Sequence, residues 1–202
     1  MTPTDRLPPI DPARWTDSQR ECAEEIIAGP RGALISPFVP LLRSPELCAH
    51  AQRMGEYLRY RSAIGLRLSE LAILVTARFW DQQVEWAIHA PIAMKEGIAA
   101  AAVQAIAEQQ APEFARDDER LVYETSRQLL HDRRVDNATW ASALALLGEQ
   151  GLVDLTGIVG YYTMLSMVMN GAQTPPPPQF SLRLPERRRV SASDPGHPNR
   201  AP

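Results

Sequence analysis

The chain has 202 residues, with 21 basic and 24 acidic side chains and a formal net charge of −3. This length is sufficient for one domain with a hydrophobic core, and no sustained polar linker before residue 173 divides the chain in two. Because a protein needs a basic face to bind a phosphate backbone, we expect no nucleic acid as a partner.

The cellular compartment is predicted from the absence of a recognisable signal peptide and of a membrane-spanning segment. Residues 1–10 are rich in proline and have no apolar segment of the length that a signal peptide needs. The longest apolar runs are too short or too interrupted to span a bilayer. We therefore expect a cytoplasmic protein without a membrane partner, in which Cys22 and Cys48 form no structural disulfide.

The first 60 residues predict an irregular arm and two helices. Residues 1–15 contain four prolines and are expected to be extended. Thr16 is predicted to cap a helix that ends near residue 28. Residues 29–40 form a loop because glycine and proline disfavour regular structure there. A second helix is predicted from about residue 45 to 60, where a serine cap precedes a proline at the first helical position.

The stretch from Ser69 to Gly97 is predicted to be helical throughout. Ser69 is a plausible N-cap, and Glu70 places a negative charge at the positive end of the helix dipole. Gly97 is a natural C-cap. The sequence leaves open whether this is one bent helix or two helices joined near residues 80–82.

Further helices are predicted in the second half of the chain. Residues 98–110 are rich in alanine and helical. Asp117 or Asp118 is expected to cap the next helix, and Asn137 caps another that ends at Gly148. Residues 151–171 are apolar on nearly every side, which predicts a helix buried in the core or at a subunit interface.

No stretch shows the two-residue alternation of a strand, so the predicted class is all-α. Residues 173–202 are rich in proline and arginine and have few apolar side chains, which predicts a flexible tail. The predicted organisation is therefore an arm at 1–15, a helical domain at 16–172 and a tail at 173–202.

Three polar side chains are candidates for chemistry. Gln82, Glu85 and His89 follow at i, i+3 and i+7, so they project from one side of a helix. His89 is predicted to act as a general acid or base, with Glu85 fixing its tautomer. The alternative is a core histidine satisfied by a neighbouring glutamate. Glu70 is either a second proton carrier or a charge near the helix N-terminus.

The segment LSELAILVTARFWDQQVEWAIHAPIAMKEGI at residues 68–98 resembles the carboxymuconolactone decarboxylase family, within the AhpD-like all-helical superfamily. The similarity extends through GPRGALISPF at 29–38 and LLRSPELCAHAQRMGEYLRYRS at 41–62, and covers roughly residues 16–172. It implies an AhpD-like helical bundle that assembles as a homo-oligomer, a trimer or a hexamer.

The spacing of the motif separates this chain from the peroxidase branch of that superfamily. That branch carries a glutamate, eleven residues, a CxxC motif, three residues and a histidine. The same spacing falls here on Glu70, Gln82, Glu85 and His89. Since neither cysteine position holds a thiol, a dithiol alkylhydroperoxidase is disfavoured. The residues that remain are suited to moving protons.

The resemblance implies a cofactor-independent enzyme that acts on a small organic acid or lactone. An arginine would bind the substrate carboxylate, loss of carbon dioxide would leave an enolate-like carbanion, and His89 would deliver the proton. A related isomerase, lyase or hydrolase remains an alternative, as does a non-catalytic helical assembly protein. The predicted substrate-binding residues are Gln82, Trp86, Arg61 and Tyr161.

Several alternatives stay open around this site. Tyr162 competes with Tyr161 as a hydrogen-bond donor. A single Glu-x3-His is weak evidence for a metal, so none is expected, and no phosphate-binding loop implies a nucleotide cofactor. The arginines near enough in sequence to bind an anion are Arg53, Arg59, Arg61, Arg67 and Arg78.

Overall fold

The computed structural model describes residues 5–186, and within that range it contains eight α-helices and no strand. The predicted all-α class is confirmed. A single 3-10 turn, Pro12–Arg14, precedes the helices. The helices are α1 Asp17–Ala28, α2 Phe38–Leu41, α3 Pro45–Tyr60, α4 Gly65–Phe79, α5 Gln83–Lys95, α6 Ala100–Ala107, α7 Asp117–His131 and α8 Asn137–Ala172.

Helix α4 lies at the centre of the molecule. It packs against α3, α5, α6, α7 and α8, and every residue from 68 to 78 is buried. Residues 71–77 are all apolar except Thr76, so this part of the helix has no polar face to present to water. Polar side chains on α4 are consequently held inside the core.

The predicted helical stretch between Ser69 and Gly97 is interrupted, so of the two alternatives that the sequence left open, two helices joined near residues 80–82 is correct. Asp81 has a φ of 51°, a left-handed conformation that ends α4. The side chain of Gln82 then caps α5, because its Oε1 accepts a hydrogen bond from the Val84 amide at 2.6 Å. Gly97 follows the end of α5 with a φ of 102°, as expected for a residue that terminates a helix.

Ser69 is not an N-cap, contrary to the prediction. Helix α4 begins four residues earlier at Gly65, which has a φ of 76°. The Ser69 hydroxyl is buried and donates to the Gly65 carbonyl at 2.9 Å. Glu70 therefore lies inside a buried helix and not in its exposed first turn.

The last two helices also begin differently from the prediction. Helix α7 starts at Asp117 with no side-chain cap, so neither Asp117 nor Asp118 is the N-cap. Asp136, and not Asn137, caps α8, accepting from two backbone amides. The predicted end of the first segment at Gly148 is confirmed: its φ of 69° and ψ of 174° are not helical, so α8 consists of two helical segments joined at this residue.

Within residues 5–186, α8 is long and apolar enough to cross a membrane by length and composition. The sequence predicted that no apolar run was sufficiently continuous. More than half of the apolar window is buried against the other helices. Core helices of soluble proteins pass the same test, so the finding is weak evidence for a membrane.

The described parts of both ends pack on the helices of their own chain. Arg6 donates its amide to the Ala172 carbonyl at 2.8 Å. At the other end, the Leu184 side chain is buried, and its backbone amide and carbonyl each bond to the Gln83 side chain at 3.0 Å. Leu184, in the predicted tail, is therefore held against the start of α5. Residues 187–202 of that tail lie outside the described residues.

Candidate functional site

Three buried side chains meet between α4 and α5. The Nδ1 atom of His89 lies 2.6 Å from Oε2 of Glu70, and its Nε2 atom lies 3.2 Å from Oε2 of Glu85. The helix repeat places Glu85 one turn before His89, whereas Glu70 comes from the neighbouring helix. The imidazole is thus held between two carboxylates.

A cation and an aromatic ring complete the cluster. Nε of Arg59, on α3, lies 3.4 Å from Oε1 of Glu70. The Tyr162 ring, on α8, packs edge-on against His89 with the ring centroids 5.2 Å apart. If His89 is protonated, two carboxylates face two cations, so the buried charges balance.

The surroundings of His89 favour its protonated form. Burial by itself lowers the pKa of an imidazole, but the charge of Glu70 and hydrogen bonds to both carboxylates outweigh it and raise the pKa to about 9. Nδ1 then donates to Glu70, while Nε2 lies 3.2 Å from Oε2 of Glu85. Since both ring nitrogens face a carboxylate, Glu85 and Glu70 are the groups that exchange a proton with His89 most directly.

A cavity of about 30 Å³ adjoins this cluster. A water molecule needs roughly 10–15 Å³ of such space, so the cavity has room for about two. Within residues 5–186, Oε1 of Glu85 and the Tyr161 hydroxyl are buried without a hydrogen-bond partner. Such atoms are costly unless a ligand or water satisfies them. The lining includes Arg31, Ile35, Ser36, Pro37, Phe38, Arg59, Glu85, Ile88, His89, Tyr161, Tyr162 and Leu165.

The structure brings together four of the predicted site residues. Glu70, Glu85 and His89 form the cluster, and Tyr161 lines the cavity beside them. Tyr162, the alternative to Tyr161, lines it as well. Glu70 is not an N-terminal helix charge, because its side chain is fully buried and bonded to His89.

Three predicted substrate-binding residues lie elsewhere. Gln82 precedes α5 instead of belonging to it, and its Nε2 donates to Oδ1 of Asn170 at 2.8 Å. Trp86 is part of the hydrophobic core. Arg61 follows α3, is exposed, and has Glu56 as its nearest acidic partner at 3.8 Å. The spacing argument failed for Gln82 because helical periodicity does not extend past a cap.

Two other arginines line the cavity. Arg59 was one of five candidates that the sequence left open, but Arg31 was missed. Arg31 lies in a loop of glycines and prolines, where no periodicity indicates which way a side chain points. Only its contacts across the fold identify it.

The cluster has a shape that suits proton transfer better than metal binding. Among residues 5–186, no group of three or more His, Cys, Asp and Glu side chains is arranged to hold a metal ion. Glu70 and Glu85 lie on opposite sides of the imidazole, so the three side chains do not converge on one point.

The two cysteines do not belong to this cluster. Cys22 on α1 and Cys48 on α3 are free and buried, and neither lines the cavity. Burial raises the pKa of both thiols. Since the thiolate is the reactive form, these positions do not favour thiol catalysis.

Comparison with protein-family models, with curated proteins and with solved structures found no match to this chain. The structure by itself defines an all-helical protein with a buried Glu-His-Glu cluster beside a small cavity. The resemblance to the carboxymuconolactone decarboxylase family stays a prediction.

Proposed function

We propose that this chain is a cofactor-independent, carboxymuconolactone decarboxylase-like enzyme with an AhpD-like bundle, acting on a small organic acid or lactone. One observation carries the proposal. His89 is enclosed by two buried carboxylates, and one of these, Glu85, lines a cavity with an oxygen that has no partner within residues 5–186. Clusters of ionisable groups with perturbed pKa values beside a cavity are typical of active sites.

In this proposal each group of the cluster has a role. When the substrate carboxylate leaves as carbon dioxide, its bonding electron pair stays behind as an enolate-like carbanion. The Nε2 proton of His89 passes to Glu85, which transfers it to the carbanion carbon. His89 is then neutral and takes up a proton from water before the next turnover. Glu70 holds the imidazolium from its far side. This order revises the expectation that His89 itself touches the substrate.

The same proton relay also serves a related isomerase, lyase or hydrolase, since all of these move a proton next to a carbonyl group. A non-catalytic assembly protein is the second candidate. The cavity of about 30 Å³ supports it, because a lactone does not fit there without movement of the surrounding residues.

Glu85→Gln is the variant that tests the proposed enzyme. It removes the proton carrier and keeps the size of the side chain, so turnover of an active acid or lactone should fall by at least about a hundredfold. Carbon dioxide release or lactone consumption measures the effect across a panel of small organic acids and lactones.

Glu46→Gln is the matched control, because Glu46 is exposed in the first turn of α3. It should keep full turnover. Circular dichroism and the unfolding midpoint verify that both variants are folded. A folded Glu85→Gln protein with the turnover of the control would rule out the proposed relay.

We also propose that the chain forms a cytoplasmic homo-oligomer, a trimer or hexamer, which uses the outer face of α8. Val153 is 68% exposed and Met167 55% exposed on that helix. Exposed apolar side chains on one face are typical of subunit interfaces. Sedimentation velocity should give at least three times the monomer mass, and Val153→Glu should lower it. A wild-type monomer at micromolar concentration would contradict the proposal.

A further inference from the structure

Arg31 differs from the other arginine at the cavity in having only neutral partners. Its Nη1 atom donates to Oε1 of Gln52 at 3.1 Å and to the Gln52 carbonyl at 3.4 Å. Its guanidinium carbon lies 4.7 Å from the centre of the Phe38 ring. Within residues 5–186, no carboxylate lies within 4.0 Å of it. The charge of Arg31 is therefore not offset by any ion pair there.

Arg59 provides the contrast. It lines the same cavity, but its charge faces Glu70 at 3.4 Å. An anion that bound to Arg59 would compete with a carboxylate already in place. An anion that bound to Arg31 would replace only neutral groups, so an anion is attracted more strongly to Arg31 than to Arg59.

Arg31 is also placed so that a ligand can reach the proton relay. Arg31, Glu85 and Tyr161 line one cavity. Burial raises the pKa of Tyr161 while the nearby charge of Arg31 opposes this, so the hydroxyl stays protonated and able to donate. The cavity thus presents a cation and a hydroxyl donor together with the carboxylate that moves the proton.

We propose that Arg31 is the residue that binds the anionic group of the substrate, a carboxylate, and that this group takes the place of Gln52 on the guanidinium. The proposal rests on the proposed enzymatic function, and it adds that Arg31 makes the site prefer anionic substrates over neutral ones. A planar guanidinium binds a carboxylate through two parallel hydrogen bonds, which neither an amide nor an ester reproduces. Acids are thus preferred over neutral analogues of the same shape.

Because the cavity is small, the replacement of Gln52 by a carboxylate on Arg31 also affects whether a ligand can enter the cavity. Arg31 and the residues Ile35–Phe38 form one wall of the cavity, and the bonds from Arg31 to Gln52 tie that wall to α3. A ligand larger than about two waters must displace the wall. When a carboxylate replaces Gln52 on Arg31, the hydrogen bonds that hold this wall against α3 are lost.

Acetate and acetamide are suitable probes, because they have the same shape and differ in charge. Side-chain ¹⁵N NMR of arginine Nε–H groups reports which guanidinium responds to each of them. We expect acetate to shift the Arg31 signal and to bind at least tenfold more weakly to Arg31→Gln. Acetamide should bind more weakly than acetate to the wild type, and equally to both proteins.

Arg120→Gln is the control, because it makes the same charge change at an exposed side chain on α7. It should bind acetate like the wild type. Arg31→Lys keeps the charge and loses the paired hydrogen bonds, so it should have an intermediate affinity and provides a second variant if Arg31→Gln does not fold.

Equal acetate affinity in the wild type, Arg31→Gln and Arg31→Lys would overturn the proposal, as would equal binding of acetate and acetamide to the wild type. These measurements need no turnover. Full turnover in Glu85→Gln would remove the proposed relay and leave acetate binding at Arg31 intact, so the two failures are distinguishable.

Discussion

His89→Ala should lower the free energy of unfolding by about 3–5 kcal/mol, the usual effect of removing one partner from a buried ionic cluster. The Glu70 and Glu85 side chains are 0% and 2% exposed, so water does not replace the lost cation. Urea unfolding followed by circular dichroism at pH 6 measures the change. A loss of turnover in this variant is therefore not evidence for catalysis by itself, which is why Glu85→Gln tests the function.

Two comparisons separate charge from packing. His50→Ala removes an exposed histidine from α3 and should change stability by less than about 0.5 kcal/mol. In Glu70→Gln/His89→Ala, one buried carboxylate is already neutral, so the double variant should lose less than the sum of the single losses. If His89→Ala is as stable as His50→Ala, the ionic cluster does not contribute as argued.

The pH dependence of the same variant has a defined direction. His89 titrates near its ordinary pKa in the unfolded chain and at about 9 in the folded one. Its stabilising effect is complete below about pH 6.5 and is lost as the pH rises through 9. The stability difference between wild type and His89→Ala should therefore narrow from pH 6 to pH 10. A constant difference would show that His89 is not the protonated partner.

Gly55→Ala should also be strongly destabilising, by about 3 kcal/mol, at the upper end for overpacking. A Cβ at Gly55 would lie 2.2 Å from the Tyr161 hydroxyl oxygen and 2.5 Å from the carbon that bears it. Tyr161 is buried between helices and lines the cavity, so it has little room to move. Thermal unfolding measures the loss, and ligand binding at the cavity should weaken in parallel.

Gly160→Ala makes the same substitution within α8, where a Cβ would meet nothing within 4 Å. It should stabilise the protein by up to about 1 kcal/mol, since alanine favours helix over glycine. Adding Tyr161→Phe to Gly55→Ala removes the closest atom and should recover part of the loss. If Gly55→Ala and Gly160→Ala are equally stable, the prediction is wrong. The contact between Gly55 on α3 and Tyr161 on α8 would then have room for a methyl group.

Local rules predicted the helices and one half of the site. Helix α1, Asp17–Ala28, was predicted with its Thr16 cap, because a capping threonine and a following glycine act within a few residues. Glu85 and His89 were paired for the same kind of reason, since residues four apart meet on any helix. Both conclusions depend only on backbone geometry.

The tertiary structure decided the other half. The sequence left open whether the chain breaks near residues 80–82, and the left-handed turn at Asp81 decides it: that turn folds α5 back on α4 and brings Glu70 to His89 across 19 residues. It also removed Gln82 from the face on which helical spacing had placed it. The positions of Arg31 and Arg59 at the cavity depend on how a loop and α3 pack on these helices. The sequence thus determined most of the helices and the contacts between residues one turn apart. Packing between helices decided which charged side chains from different elements meet, because contacts between helices depend on their three-dimensional arrangement and not on spacing along the chain.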